Sequence, residues 1–163
     1  GVPGRMEPIS GAPFDVIGDY AHTPEAMRLV LETLRPVVGG RLIVLFGCAG
    51  ERSPDRRSGL GGVAAELADY TVLTEEDPRS ERSEAIIAEI AIAMTAGGAV
   101  EGEQFERVLD RREAIDRALA LAEAGDLVLI AGKGHERSIE RASGTQPWDD
   151  REVTRELISQ RFG

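Results

Sequence analysis

The sequence has few of the residues on which disulfide, metal and base-stacking chemistry depend. Cys48 is the only cysteine, so no internal disulfide can form, and we expect it to be a small core residue. The two histidines, His22 and His135, lie far apart with no metal-ligand spacing around them, which argues against a bound metal. Aromatic residues make up 4% of the chain, which disfavours a surface on which nucleic-acid bases stack. We expect its one tryptophan, Trp148, to be a packing residue before the last helix.

Long apolar runs and excess positive charge are also missing. No run approaches the roughly 18 apolar residues that a membrane span requires, and the first residues do not resemble a signal peptide. The net charge of −10 disfavours nucleic acid as a partner, because phosphate backbones are bound by clustered Lys and Arg. With 163 residues, the sequence predicts a single cytoplasmic domain, 1–163, that binds neither membrane nor nucleic acid.

Short runs rich in Val, Ile and Leu predict the strands of a sheet. The runs at 41–47 and 126–132 are continuously apolar, which is typical of strands buried on both faces of a parallel sheet. Pro8 suits an edge strand better than a central one. The predicted strands are 14–20, 41–47, 70–74 and 126–132, with weaker candidates at 105–109 and around Pro8.

Helical patterns separate these runs. Thr23 and Ser53 are predicted N-caps, each followed by a proline at the first helical position, and apolar residues then recur at three- and four-residue spacing. Gly125 is predicted to cap the C-terminus of a helix that begins near residue 112, and a last helix is predicted over 150–161. The alternation indicates an α/β domain: a doubly wound, mostly parallel Rossmann-like sheet with helices on both faces.

Nearly all chemically capable residues follow the carboxyl ends of the predicted strands, where ligands bind in such sheets. The four loops are "GDYAHTPEA", "GCAGERSPDRR", "TEEDPRSER" and "GKGHERS", whereas the opposite connections are ordinary. This asymmetry predicts a polar cleft in which arginines bind carboxylates or phosphates and an acid such as Glu136 binds an amine.

Several of these residues also have simpler interpretations. Asp19 could cap a helix, and His22 alone is more often a turn residue than a catalyst. Arg56 and Arg57 lie in the first turn of a helix, where the dipole disfavours cations, and this placement favours an anionic partner. The "GKG" segment is not a P-loop, because Gly134 stands where that motif requires Ser or Thr.

Five ordered segments together resemble the C-terminal domain of the Mur ligases over essentially the whole chain: "GRMEPI", "DYAHTPEAM", "LFGCAGERSPDRR", "TEEDPRSE" and "LIAGKGHE". The resemblance is strongest to the members that add meso-diaminopimelate to UDP-N-acetylmuramoyl-dipeptide in peptidoglycan synthesis. It implies an ATP-dependent amide ligase in which a precursor carboxylate is phosphorylated, the incoming amine attacks the acyl phosphate, and phosphate leaves.

The resemblance also implies domains that this chain lacks. In the family an N-terminal domain holds the uridine nucleotide, and a central domain carries the P-loop and the magnesium ligands. We therefore expect an excised fragment that needs ATP and magnesium in the whole enzyme and is inactive alone, with no catalytic or metal-binding residue of its own.

By resemblance, Arg5, Asp19 and His22 are implied to contact ATP. The implied amino-acid pocket consists of Arg52, Asp77, Pro78, Arg79, Gly132 and Glu136. One departure stands out, because the family signature Asp-Asn-Pro-Arg here reads Glu76-Asp77-Pro78-Arg79. The two carboxylates beside Arg79 could neutralise it or favour a more cationic acceptor such as lysine or ornithine.

Two more functions are compatible with a domain of this kind. The chain could come from a relative of folylpolyglutamate synthase, although the "GKGHE" and "DPR" loops argue against that branch. It could also be a free-standing domain that binds a nucleotide or another metabolite without catalysis.

Overall fold

The computed structural model describes residues 5–163. Within that range the chain forms eight strands and five α-helices, which alternate as predicted until the last strand pair. The strands are β1 (Glu7–Pro8), β2 (Asp15–Asp19), β3 (Leu42–Phe46), β4 (Tyr70–Leu73), β5 (Phe105–Arg107), β6 (Leu127–Ala131), β7 (Ser138–Arg141) and β8 (Gly144–Pro147). The helices are α1 (Pro24–Leu34), α2 (Pro54–Leu67), α3 (Ser83–Ala96), α4 (Arg111–Leu121) and α5 (Asp150–Phe162).

Six strands form one sheet in the order β1-β2-β6-β3-β4-β5. All neighbouring pairs are parallel except β1 with β2, and Pro8 lies on that antiparallel edge strand as predicted. Every residue of β3 and β6 is buried, because each of these central strands has helices over both faces. The predicted fold class is confirmed.

The two faces of the sheet pack against different helices. One core joins the sheet to apolar residues of α1, α2 and α3, and the other joins it to residues of α4 and α5. Cys48 is buried in the first core, and burial raises the pKa of its thiol to about 11, which keeps it protonated and inert. Trp148 packs against the second core, as predicted. Among the helices of residues 5–163, none combines the length and the apolar character needed to cross a bilayer.

The predicted helix starts are confirmed, but one predicted helix end is wrong. The Thr23 hydroxyl accepts from Ala26 N (3.2 Å), and α1 begins at the next residue. At the other helix, α4 stops at Leu121, four residues before Gly125. The Asp126 carboxylate accepts from Glu123 N (2.9 Å) and draws the chain into a turn, where Gly125 adopts a φ of +94°.

The β7–β8 hairpin was not predicted. It pairs antiparallel from Ser138 with Pro147 to Arg141 with Gly144, outside the main sheet. Ile139 is its one buried residue, so the segment shows neither an apolar run nor an alternating pattern. The hairpin lies beside the loop that follows β4, where Arg79 N donates to Glu140 O (2.8 Å).

Candidate functional site

The four polar loops lie side by side at the carboxyl edge of the sheet. Because β6 inserts between β2 and β3, the loops follow the spatial order β2, β6, β3, β4. The "GKGHE" loop is therefore flanked by "DYAH" on one side and "GCAGER" on the other, with "EEDPR" beyond. The predicted clustering of the loops on one rim is confirmed. Their spatial order follows from the position of β6 between β2 and β3.

The structure brings the three predicted ATP residues together. Arg5, Asp19 and His22 line one pocket of about 300 Å³, within the range of small-molecule sites. Its walls are largely apolar and come from α1, from Met6 and from the loop after β2. The Asp19 carboxylate is nearly buried and accepts from Met6 N (2.6 Å) and from Ala21 N (2.8 Å). Asp19 thus fixes the segment that carries Arg5 against the loop after β2.

Aromatic rings join the loops after β2 and β6. The Tyr20 ring lies 4.6 Å from the His22 ring and 5.7 Å from the His135 ring, measured between centroids. Burial raises the pKa of Tyr20, and the nearby Glu136 and Glu76 carboxylates raise it further. Tyr20 therefore stays protonated between the pocket that contains Arg5 and the acidic residues of the neighbouring loops.

Glu76 is the most unusual acid of the site. It is 5% exposed, and among the described residues its Oε1 atom has no hydrogen-bond partner. Burial raises its pKa to about 7; Arg111 and Lys133 oppose the shift, while Asp77 and Glu136 add to it. A buried carboxylate with an unsatisfied oxygen is a costly arrangement that suits an incoming hydrogen-bond donor.

Gly132 makes room for Glu76. A Cβ atom at position 132 would overlap Glu76 Oε1, and the φ of +108° at this position is one that other residues rarely adopt. Gly132, which the resemblance assigns to the amino-acid pocket, thus lets the loop after β6 approach the carboxylate of the loop after β4.

Glu76 predicts a pH dependence of stability. A carboxyl group whose pKa is higher in the folded state than in the unfolded state stabilises the fold at low pH, and this contribution is lost as pH rises from about 4.5 to about 7. We expect Glu76→Gln, which stays neutral, to gain stability relative to the wild type over that interval and to keep the gain at pH 8. Urea unfolding of both proteins at pH 4.5, 6 and 8 measures the difference, and a constant difference would contradict it.

Asp77 does not face the cleft as a free charge. Its Oδ1 atom accepts from Lys133 Nζ (2.9 Å) and from Glu140 N (3.0 Å). Lys133 is the only lysine of the chain and is fully buried, with Nζ 3.7 Å from Glu136 Oε1. The acid at the departure from the family signature is thus neutralised within the protein, and it does not pair with Arg79.

Arg79 is held from three directions. Its backbone has a φ of +54°, and its N–H donates to Glu140 O. Its Nη1 donates to Gly50 O (2.9 Å) and its Nε to Glu140 Oε2 (3.3 Å). The guanidinium borders an open pocket of about 460 Å³ between its own loop, the loop after β3 and the β7–β8 hairpin.

Each described non-glycine residue with a positive φ is either a predicted site arginine or the direct sequence neighbour of one. In residues 5–163 they are Met6, Glu51 and Arg79, and two of them directly adjoin Arg5 and Arg52. Such strain persists only where the surroundings enforce it. Glu51 N donates to Glu81 Oε2 (2.5 Å), and Ser80 Oγ donates to Glu51 Oε2 (2.6 Å).

The structure places Arg52 and Arg57 in different surroundings. Arg52 is exposed and its Nη1 donates to Glu51 O (3.4 Å), so among the described contacts nothing joins it to Arg79. Arg57 is buried in ion pairs with Glu81 (2.7 Å) and Glu89, which hold α2 against α3 and the loop before it. Its anionic partners are therefore internal, and it is not available for a ligand.

Sequence reasoning missed Arg111, which supports the rim from below. This fully buried guanidinium donates to both carboxylate oxygens of Asp150, to Glu75 O and to Ala131 O. It thereby ties the ends of β4 and β6 to the start of α5. Its position in "LDRREA" gives no signal of burial, because charged residues at a helix start are normally solvated.

The family profile described as "Mur ligase, glutamate ligase domain" matches residues 4–134. The chain belongs to the Mur ligase family. The resemblance predicted from the loop motifs is confirmed, and the rim just described is the candidate ligand site of this Mur ligase domain.

Named relatives agree on the branch of the family. UDP-N-acetylmuramoyl-L-alanyl-D-glutamate-2,6-diaminopimelate ligase from Gloeobacter violaceus is 48% identical over 163 residues, covering 99% of this chain and 32% of the relative. UDP-N-acetylmuramyl-tripeptide synthetase from Roseiflexus is 44% identical over 161 residues, covering 98% and 32%. The Mur ligase domain spans about a third of the length of these curated relatives.

A solved structure extends the similarity to the backbone. The structure of a UDP-N-acetylmuramoyl-L-alanyl-D-glutamate-2,6-diaminopimelate ligase superposes with a TM-score of 0.88 and 37% identity, covering 100% of this chain and 33% of that one. Within residues 5–163 of the Mur ligase domain, no group of three His, Cys, Asp or Glu side chains is arranged to hold a metal ion.

Proposed function

We propose that this chain is the C-terminal domain of an ATP-dependent ligase that adds meso-diaminopimelate to UDP-N-acetylmuramoyl-dipeptide in peptidoglycan synthesis. The observation that carries the proposal is the pairing of opposite charges on one rim. Glu76 and Glu136 provide carboxylates, and Arg79 provides a guanidinium in the adjoining loop. The distal end of diaminopimelate carries both an ammonium and a carboxylate, so it complements this arrangement.

Each charge has a partner on the amino acid. The unsatisfied Oε1 of Glu76 and the half-buried carboxylate of Glu136 suit the distal ammonium. Arg79 suits the distal carboxylate, because guanidinium groups bind carboxylates with two parallel hydrogen bonds. Binding both groups orients the remaining amine for attack on the acyl phosphate.

The nucleotide belongs to the other end of the rim. The pocket formed by Arg5, Asp19 and His22 combines a cation for phosphate oxygens with apolar walls for a base. Bound ATP supplies the phosphoryl group that activates the precursor carboxylate. The described residues contain no group of acidic or histidine side chains arranged to hold magnesium. We assign the metal to the central domain of the full-length protein. We place that protein in the cytoplasm.

The departure at Asp77 is compatible with diaminopimelate. If Asp77 were an added free carboxylate, it would neutralise Arg79 and favour lysine or ornithine. Its bonds to Lys133 and to Glu140 N remove that effect, so Arg79 keeps its positive charge for the substrate. The name of the Roseiflexus relative does not specify the third residue, and the acceptor therefore needs a direct test.

The test is an acceptor assay on the full-length protein that carries this domain. With UDP-N-acetylmuramoyl-dipeptide and ATP, we expect release of phosphate to depend on meso-diaminopimelate, with a kcat/KM at least tenfold above that for lysine or ornithine, since a charge-assisted hydrogen bond contributes about 1.5–3 kcal/mol. Preference for lysine or ornithine would refute the substrate assignment. Absence of ligation with all three would favour a free-standing binding domain.

A further inference from the structure

Arg79 is the proposed partner of the substrate carboxylate, yet two of its N–H groups already donate to acceptors within the protein. A guanidinium receives a carboxylate either end-on, through Nη1 and Nη2, or side-on, through Nε and Nη2. Nη1 is bonded to Gly50 O (2.9 Å) and Nε to Glu140 Oε2 (3.3 Å). Because Nε carries a single N–H group, a ligand carboxylate can bind the side-on edge only if Glu140 Oε2 leaves.

The two acceptors differ in how easily they can leave. Gly50 O belongs to a buried backbone, and Gly50 N is bonded to Asp77 O (2.7 Å) in the adjacent loop. A Cβ atom at position 50 would overlap Pro78 O, so the two loops are in close contact and cannot separate locally. Glu140 Oε2, in contrast, sits at the end of a side chain that is 52% exposed. Only the Glu140 carboxylate can swing away without breaking the backbone arrangement.

We propose that Glu140 is a specificity-determining residue that occupies the side-on edge of Arg79 until a carboxylate of the amino-acid substrate displaces it. The inference rests on the proposed function of this rim. The main chain of Glu140 remains in place during the exchange, since its N–H is bonded to Asp77 Oδ1 and its carbonyl to Arg79 N. The rearrangement is confined to one exposed side chain.

An internal competitor changes selectivity as well as affinity. Diaminopimelate replaces the Glu140 carboxylate with its own, so the charge of Arg79 stays paired throughout binding. Lysine has no distal carboxylate, and its binding leaves Glu140 where it is. Removal of the competing charge should therefore strengthen binding of diaminopimelate and leave binding of lysine unchanged. An exposed ion pair of this kind corresponds to a change of about two- to five-fold.

The experiment compares Glu140→Gln with the wild type in steady-state ligation by the full-length enzyme. We expect the KM for meso-diaminopimelate to fall about two- to five-fold, with the KM for ATP, the kcat and the KM for lysine unchanged. Glu140→Ala, which removes the acceptor entirely, is expected to have the same effect. Glu103→Gln is the matched control, because it removes the same charge from an exposed position on the opposite rim.

A KM for diaminopimelate that stays the same or rises in both variants would overturn the proposal, as would an equal fall for diaminopimelate and lysine. A rise would mean that Glu140 holds Arg79 in its binding position. The wild-type reaction tests the proposed function separately. If the wild type does not ligate diaminopimelate, the proposed function fails and this inference with it; if it does, the variants alone decide.

Discussion

Arg111→Ala is expected to lower the free energy of unfolding of this domain by about 3–5 kcal/mol. The substitution leaves the carboxylate of Asp150, which is 2% exposed, without its cationic partner. It also removes the donors to Glu75 O (2.9 Å) and Ala131 O (3.1 Å). Of the contacts of Asp150, the bond from Trp148 Nε1 (2.7 Å) remains and cannot balance a buried charge. Urea unfolding measures the loss, and thermal melting should show a decrease in Tm of roughly 6–20 °C.

Arg112→Ala is the matched control for this prediction. It removes an arginine from the next position of α4, where the pair with Glu156 is exposed, with 38% and 55% of the two side chains accessible. We expect a change of about 0–1 kcal/mol. Equal losses in the two variants would contradict a special role for Arg111.

The effect of Arg111 also has a defined pH dependence. Burial opposes ionisation of Asp150, but the charge and hydrogen bonds of Arg111 hold its pKa below the ordinary value. A depressed carboxyl pKa stabilises the folded state above the unfolded-state pKa, and the contribution is lost as pH falls through the folded-state pKa. The difference between wild type and Arg111→Ala is therefore expected to be largest at neutral pH and to shrink as pH falls, because Asp150, left buried without Arg111, takes up a proton more readily in the variant.

The main sheet could be predicted from the sequence because burial and local chemistry agree there. The β3 and β6 runs are continuously apolar and both strands are buried on both faces. Thr23 and Ser53 have the side-chain oxygens that a helix start needs, and both accept backbone N–H bonds as expected. Each of these signals lies within a few residues of the element that it specifies.

The features that escaped prediction depend on contacts between distant segments. Arg111 and Asp150 are 39 residues apart, and no local pattern links them. The β7–β8 hairpin is largely exposed, and its position depends on the bonds of Glu140 to Asp77 and Arg79 in a distant loop. Glu76 lies in a polar loop sequence but is buried, since the neighbouring loops close over it.

The candidate site was predictable in location and less so in detail. The rule that ligands bind at the carboxyl ends of parallel strands predicted from strand positions alone that the four polar loops share one rim, and the structure places them there. It could not reveal that Lys133 neutralises Asp77, because that bond joins loops whose adjacency follows from the insertion of β6. The loop motifs were sufficient to identify the family resemblance. The pairing of Lys133 with Asp77 could be seen only in the three-dimensional structure.

Arg79→Ala is expected to raise the KM for meso-diaminopimelate roughly 10- to 100-fold, the loss of charge-assisted hydrogen bonds to a carboxylate. The KM for ATP is expected to change less than about two-fold, a shift within the usual range for a surface substitution remote from a site, because the pocket of Arg5, Asp19 and His22 lies beyond the loops after β6 and β3. Steady-state kinetics of the full-length enzyme with each substrate varied in turn gives both constants.

Arg79→Lys separates recognition from backbone strain. Position 79 has a φ of +54°, so any residue other than glycine is strained there, and lysine and arginine bear a similar cost. Lysine keeps the charge but lacks the planar fork that also reaches Gly50 O. We expect its KM for diaminopimelate to lie between those of the wild type and the alanine variant, with a Tm close to the wild type. An equal rise in the KM for ATP and for diaminopimelate in both variants would instead mean that Arg79 has a structural role. Its essential contact would then be the bond to Gly50 O, which holds the loops after β3 and β4 together.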